Sequence, residues 1–232
     1  MVKYRMRDFI PSKIDKYEIQ KKLGSGHFST VYLARDTTLD AIKAIKVIDV
    51  KDPESIMRKL DEAQLSYRCQ HKHIVKINTA IPIRNIESLS KIILDMEYIE
   101  KGSIEDYMKD NFVSVIEAVK YMREVLFGLE FAHCNGVLHH DIKPGNIMLG
   151  RTGAKLADFG LATLIEKDTK EFEYGYYPHY APERLLQKKV SIETDIYALG
   201  LTFFRILCNL KKSDWENFKK HKEYSNKIKD NV

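Results

Sequence analysis

The segment VLHHDIKPGNIMLG, followed by AKLADFG, gathers two carboxylates, a cation and an amide in one short stretch. Asp141, Lys143 and Asn146 fall within six residues, on a loop that Pro144 stiffens. Asp158 comes twelve residues after Asn146, beyond two apolar, pairing-prone segments. Such a set suits phosphoryl transfer. One carboxylate accepts a hydroxyl proton, the other holds magnesium together with the amide, and the lysine neutralises the moving phosphate. The bland alternative is a polar hairpin with its turns, and the convergence of four reactive residue types argues against it.

A second candidate region lies near the start of the chain. The turn GSGHFSTVY sits between two expected strands, so Gly24 and Gly26 can take φ values closed to other residues and bring backbone N–H groups to phosphate oxygens. Alone the turn is weak evidence, since most Gly-x-Gly turns are plain hairpins and a dinucleotide fingerprint needs a helix after the loop. Lys46 strengthens it. Strand alternation puts Ala44 and Lys46 on one face, a small residue leaving room for a ring beside a cation. A lysine on a buried strand is costly unless it meets an anion, and Glu62, sixteen residues on, is a candidate partner. A purely structural ion pair is the competing explanation. Lys43, in the duplicated AIKAIK, is the rival lysine and points to the opposite face.

Elements to position these residues are legible in the periodicity. YEIQKKL, TVYLARD and AIKAIKVIDV alternate like an antiparallel meander, a helix is expected from about Pro53 to Cys69, and HIVKINTAIPI and SKIILDMEYI are two further strands. Beyond Ser103 the pattern turns helical: IEDYMKD, a long amphipathic run from Val115 to Cys134, and SIETDIYALGLTFFRILCNL. The expected fold class is α+β. A five-stranded antiparallel sheet lobe with one helix occupies residues 17–97, a larger, mainly helical lobe occupies residues 98–232, and residues 1–16 form a basic extension. The lobes join near Glu97 to Gly102, with a cleft that both supply.

At 232 residues the chain has room for such a core, and its 31% charged residues are mixed in sign, which excludes wholesale disorder. The net charge of +5 is spread along the chain without interleaved stacking aromatics, so no specific nucleic-acid partner is expected. No apolar run suffices to cross a membrane, and the start MVKYRMRDFIPSK lacks the apolar middle of a signal peptide. Cys69, Cys134 and Cys208 lack metal-ligand spacing and are expected as reduced, mostly buried thiols. A cytoplasmic location is expected, or a host cell if the protein is a secreted effector.

At this point the sequence resembles the protein kinase family, over about residues 17 to 208 and in the right order. The landmarks are GSGHFSTV, AIKVI, HKHIV after the helix bearing Glu62, the hinge-like MEYIEKGS, HHDIKPGN, DFG, APE and TDIYALG. The resemblance implies an ATP site in which Gly24, Ser25, Gly26 and Val31 cover the nucleotide and Ala44 makes room for it. Lys46 would hold the α/β phosphates and Glu62 would orient Lys46. Met96 would guard the back pocket, and the backbone of Glu97 and Tyr98 would bind adenine. By the same resemblance Asp141 is the catalytic base, Asn146 and Asp158 are Mg²⁺ ligands, and Lys143 marks a preference for serine and threonine hydroxyls of a protein substrate.

Four departures qualify the likeness. Ser29 stands where a third glycine is usual. His140 replaces the arginine before the catalytic aspartate, so a phosphate clamp there would carry only partial, pH-dependent charge. Activity is therefore expected not to depend strongly on phosphorylation between Asp158 and Glu183, where Thr163, Thr169, Tyr174, Tyr176 and Tyr177 lie. Tyr176 occupies the position that resembles the substrate-pocket threonine, either as a stacking wall for a peptide or, preferably, as loop packing. Finally, only 37 residues follow Asp195, which resembles the aspartate that buttresses the catalytic loop, so the large lobe looks shortened and Glu183 has no evident arginine partner. The apolar face of the helix around Phe203, Phe204, Ile206 and Leu207 would meet either the lysine-rich tail, through Trp215 and Phe218, or a partner chain or second copy. Tail folding is the preferred outcome. A scaffold that binds nucleotide without transfer, a dual-specificity or tyrosine kinase, and a small-molecule phosphotransferase are the other readings.

Overall fold

Alternating apolar and polar residues in the first hundred positions build a sheet, and 3.6-residue periodicity beyond them builds helices. A computed structural model describes residues 12–26, 29–50, 53–83, 90–165 and 175–220. The chain divides into two compact units, Met1–Tyr67 with Lys76–Tyr98 and Arg68–Val75 with Ile99–Val232.

The first unit holds strands β1 (Lys13–Ile14), β2 (Tyr17–Ser25), β3 (Ser29–Asp36), β4 (Ala41–Val50), β5 (Ile77–Ile83) and β6 (Ser90–Glu97), with helix α1 (Pro53–Arg68) between β4 and β5. All pairings are antiparallel, in the order β1-β2-β3-β4-β6-β5. The five expected strands are present, and the sheet has a sixth. Asp15, with φ 52°, turns the chain so that Lys13 and Ile14 pair with Glu18 and Tyr17. The expected strand HIVKINTAIPI is also shorter, for His73 to Val75 belong to the second unit and hydrogen-bond within it.

Two apolar layers cover the sheet. On one face Ile48 and Val50 pack with Ala63 and Leu60 of α1, Ile92 and Leu94. On the other, Ile45 and Val47 pack with Tyr17, Ala34 and Ile93. β4 thus buries alternate residues on both sides, as a central strand must.

In the second unit α2 (Ile104–Asp110), α3 (Val115–Cys134), α4 (Pro182–Gln187), α5 (Ile192–Leu207) and α6 (Lys212–Lys220) accompany two small antiparallel ladders, β7 (Val137–Leu138) with β10 (Thr163–Leu164) and the hairpin of β8 (Ile147–Gly150) with β9 (Gly153–Leu156). α3 opens with a capping box in which the Ser114 side chain accepts from the Glu117 N–H and Glu117 reaches back to the Ser114 N–H. His73 to Val75 lie along β9: Leu156 N–H donates to His73 O and Val75 N–H to Leu156 O, both at 2.8 Å. Leu149 N–H donates to Gly102 O at 2.9 Å, which ties β8 to the segment ahead of α2.

Among the described residues no helix is long and apolar enough to cross a membrane. The cysteines are all free, but only Cys69 is buried. Cys134 and Cys208 are exposed, because they end α3 and α5 where the helices leave their packed faces, which corrects the expectation of mostly buried thiols.

α3 passes so close to His73 that a Cβ on Gly128 would stand 2.6 Å from the His73 carbonyl oxygen. Gly128→Ala is expected to destabilise the protein by about 2 kcal/mol through overpacking, read as a lower urea midpoint at unchanged slope.

Candidate active site

A single buried carboxylate organises the loop that carries Asp141. Asp195, in the first turn of α5, is 1% exposed. It accepts the backbone N–H of His139 at 2.8 Å and of His140 at 2.9 Å, and His133 Nε2 donates to it at 3.0 Å. Burial pushes its pKa up, yet the His133 hydrogen bond, the field of the neighbouring histidines and the backbone donor hold it below the usual carboxylate value. The two N–H groups take one carboxylate oxygen each, and directly after them the backbone turns sharply, His140 having φ 66°.

The residues after His140 then converge. Asn146 Nδ2 donates to the Asp141 carbonyl at 2.7 Å and to Asp141 Oδ2 at 2.9 Å, while Lys143 Nζ donates to the same Oδ2 at 2.6 Å. Among the described residues Asp141 Oδ1 has no hydrogen-bond partner. One oxygen is fixed by two donors, while the other is buried with its acceptor capacity unused among the described residues, which suits a general base. Pro144–Asn146 form a 3-10 turn, and the β8–β9 hairpin returns the chain so that Ala157 N–H donates to Asn146 O at 2.8 Å. Asp158, exposed and at φ 63°, follows at once, with its Oδ1 accepting from Gly160 N–H at 3.2 Å. The hairpin thereby brings Asp158 back to Asn146. With its Nδ2 engaged, Asn146 has its Oδ1 as the amide's acceptor, and an amide oxygen with a carboxylate is a hard donor set that fits Mg²⁺ shared with phosphate oxygens.

His139, missed as a functional residue in the sequence, joins these pieces. Its Nδ1 accepts from Asp141 N–H at 3.2 Å, its Nε2 donates to Ala157 O at 3.0 Å, and its ring meets Phe159 edge-on at 4.6 Å. The doublet HisHis ahead of Asp141 was the signal that could have found it.

His140 departs from the expected partial charge. Its Nε2 lies 2.7 Å from Thr163 Oγ1 of β10, and burial lowers its pKa to about 4. The nearby Asp195 favours the imidazolium, whereas Arg184, His139 and His133 oppose it. The ring is neutral at pH 7 and bonded to the start of the very loop a clamp would hold. Arg184 turns the same way: its Nη1 donates to His140 O at 3.0 Å and its guanidinium lies 3.8 Å from the centroid of the Tyr180 ring. Arg205, almost wholly buried, pairs with Glu105.

In the first unit the register aligns the remaining candidates. Gly24 pairs with Val31, Val31 with Lys46 and Lys46 with Leu94, while Ala44 stands opposite Met96, so these side chains share one face of the sheet. Ser25 pairs with Thr30, and Gly26 N–H donates to Ser29 O at 2.8 Å. The left-handed φ expected of Gly24 and Gly26 is absent, because β2 simply runs extended into the turn. A Cβ at Gly24 would meet nothing within 4 Å and one at Gly26 only Ser29, which leaves the backbone open to a ligand. Lys43 is a structural lysine on the opposite face: its Nζ is 3.8 Å from Asp95, which also takes the Tyr17 hydroxyl and the Asn78 amide. Glu97 N–H donates to Lys76 O at 3.0 Å, so this one of the backbone groups expected to bind adenine is already engaged. Tyr98 ends the unit, half-buried. Glu62 lies in α1 with its side chain outside the described residues, and Thr169 and Tyr174 lie outside the described residues altogether.

The tail folds back. Trp215 of α6 is 1% exposed and meets Phe204 at 6.3 Å and His179 at 5.6 Å between ring centroids, although Phe204 stays 47% exposed. The side chain of Phe218 lies outside the described residues. Tyr176 packs as expected, against His179 and Lys143.

The depressed His140 pKa has a thermodynamic consequence. Unfolded, the imidazole titrates near 6.5; folded, near 4. As pH falls through this window the unfolded chain takes up a proton that the folded chain refuses, so stability is full above about 6.5 and drops by about 3 kcal/mol toward pH 4. Urea titrations at pH 7 and 4.5 should show this loss in the wild type and a smaller one in His140→Asn, a residue that tolerates positive φ.

A protein kinase domain model matches residues 17–231. "Probable serine/threonine-protein kinase 2" of Plasmodium falciparum is 30% identical over 224 residues, 91% of this chain and 43% of that protein. Serine/threonine-protein kinase PknB of Mycobacterium leprae is 32% identical, covering 85% of this chain and 33% of its own length. Serine/threonine-protein kinase PrkC of Bacillus subtilis is 31% identical, with 87% and 32% covered. The chain thus spans less than half the length of these curated relatives. A match over nearly all of the chain, on a fold with the sheet, catalytic loop and hairpin described above, places it in the protein kinase family.

Proposed function

We propose that the chain transfers the γ-phosphate of ATP, with Mg²⁺, to serine or threonine hydroxyls of a protein substrate. The observation that carries this reading is the asymmetry of Asp141, with Oδ2 held by Lys143 and Asn146 and Oδ1 without a partner among the described residues. The names of the similar proteins support the serine/threonine class.

In this reading the first unit supplies the nucleotide-binding face. Gly24, Ser25, Gly26 and Val31 cover the nucleotide, Ala44 and Met96 border its ring, Lys46 binds phosphate under the orientation of Glu62, and Glu97 and Tyr98 offer backbone groups to adenine. The second unit supplies the reacting groups. Asp141 Oδ1 accepts the substrate hydroxyl proton, and Lys143 stays beside Asp141 to neutralise the charge that builds on the transferred group. Asn146 and Asp158 would hold Mg²⁺, which supplies charge neutralisation on the phosphates when bound. A cytoplasmic location is part of the same proposal, resting on the free cysteines.

Two experiments test the reading. Transfer from γ-labelled ATP to the protein itself and to a generic basic protein should fall by about 10²- to 10⁴-fold in Asp141→Asn and be lost in Lys46→Met. Phosphoamino-acid analysis should return phosphoserine or phosphothreonine. Absent transfer by a wild type that still binds ATP would make the protein a nucleotide-dependent scaffold instead, and phosphotyrosine would make it a tyrosine or dual-specificity enzyme. Because a neutral His140 bonded to Thr163 supplies no cationic clamp, phosphatase-treated protein should retain its activity. Its abolition would overturn the claim that loop phosphorylation is dispensable.

A further inference from the structure

Three aromatic rings connect α6 to the catalytic loop. Trp215, buried, meets His179 edge-on. His179 meets Tyr176 edge-on at 5.0 Å between centroids, and its Nδ1 lies 3.0 Å from the carbonyl oxygen of Ile142, the residue after Asp141. Tyr176 then presents its ring to Lys143, with Nζ 5.6 Å from the centroid, inside the range of a cation–π contact. Its hydroxyl donates to Glu216 Oε1 of α6 at 3.3 Å. Burial above all, with the field of Glu216 and Glu105 and against that of Arg205, raises the phenol pKa, so the hydroxyl keeps its proton for that bond.

The ammonium of Lys143 therefore has Asp141 Oδ2 and the face of Tyr176 as neighbours. A lysine stem is flexible, and one hydrogen bond leaves its ammonium much freedom. An aromatic face restricts it. We infer that Tyr176 is a positioning residue that couples the docking of α6 to Lys143, an inference that rests on the phosphotransfer reading above. From α6, Glu216 holds the Tyr176 hydroxyl and Trp215 backs the ring through His179, and the ring holds the lysine that serves the transferred phosphate. The nucleotide candidates belong to the other unit, so the coupling should act on turnover and not on ATP affinity.

The test compares the wild type with Tyr176→Leu, Tyr176→Phe and Glu216→Gln in steady-state transfer to a basic protein. Thermal melts and NMR of ¹³C-dimethylated lysines accompany it, with Lys143 assigned through Lys143→Arg. Tyr176→Leu should lower kcat about fivefold while KM for ATP changes by less than about twofold. Tyr176→Phe keeps the ring and should recover most of that loss, and Glu216→Gln should fall between the two. The Lys143 methyl signal should show an upfield ring-current displacement in the wild type and Tyr176→Phe that disappears in Tyr176→Leu. Full kcat in Tyr176→Leu, or a rise in KM for ATP without a change in kcat, would overturn the inference. So would a wild-type Lys143 signal without displacement, which decides the matter even if Tyr176→Leu fails to fold. A wild type with the displacement but no transfer would overturn the phosphotransfer reading itself, and the coupling to turnover with it.

Discussion

Asp195 is a carboxylate taken almost wholly out of water, which costs several kcal/mol unless hydrogen bonds replace the lost hydration. It recovers them from the His139 and His140 N–H groups and from His133, and the geometry of that recovery shapes everything downstream. Just beyond these two N–H groups His140 takes a left-handed φ of 66° and turns the chain. That turn sets Asp141 down where Lys143 and Asn146 meet it. His139 extends the same constraint to the hairpin through Ala157, and so to the backbone just ahead of Asp158. The loop that carries Asp141 is thus anchored to α5, and Asp141, Lys143 and Asn146 take their relative positions from that anchor and the contacts around it.

The first unit solves a different problem, the placement of two lysines on one strand. Lys43 and Lys46 lie on opposite faces of β4. On one side Asp95, with Tyr17 and Asn78 as further donors, gives Lys43 a structural role. On the other side the row Gly24, Val31, Lys46 runs across the sheet beside the Ala44 and Met96 pair, small and apolar groups around a cation. A bare count of basic residues cannot separate the two lysines. Their strand parity can, since a shift of one residue reverses the face.

Much of this was legible because it depends on period and spacing. The five main strands, the long α3 over Val115–Cys134 and the hairpin that returns Asp158 toward Asn146 follow from local pattern. What escaped depends on tertiary neighbours. Segment HIVK alternates like a strand, but His73 and Val75 bond to Leu156 within the second unit, so they do not lengthen β5. Gly24 and Gly26 looked like residues chosen for φ, yet the extended chain leaves them ordinary dihedrals and an open approach. His140 looked partly charged by its type; only its burial and its contact with Thr163 make it neutral. The exposure of Cys134 and Cys208 was equally invisible, being set by where α3 and α5 stop.

The neutral His140 and the packed Tyr176 belong to one argument. An uncharged side chain at position 140 offers no cation to an anion, so the contacts that hold this loop among the described residues are those of the fold itself. Three buried contacts supply it. Thr163 meets His140 from β10, Arg184 binds the His140 carbonyl from α4, and His179 reaches Ile142 while leaning on Trp215 of α6. Each replaces a conditional charge with permanent packing. Permanent packing responds to whatever displaces the helices that provide it, and α6 is joined to the loop by side chains rather than by a shared sheet.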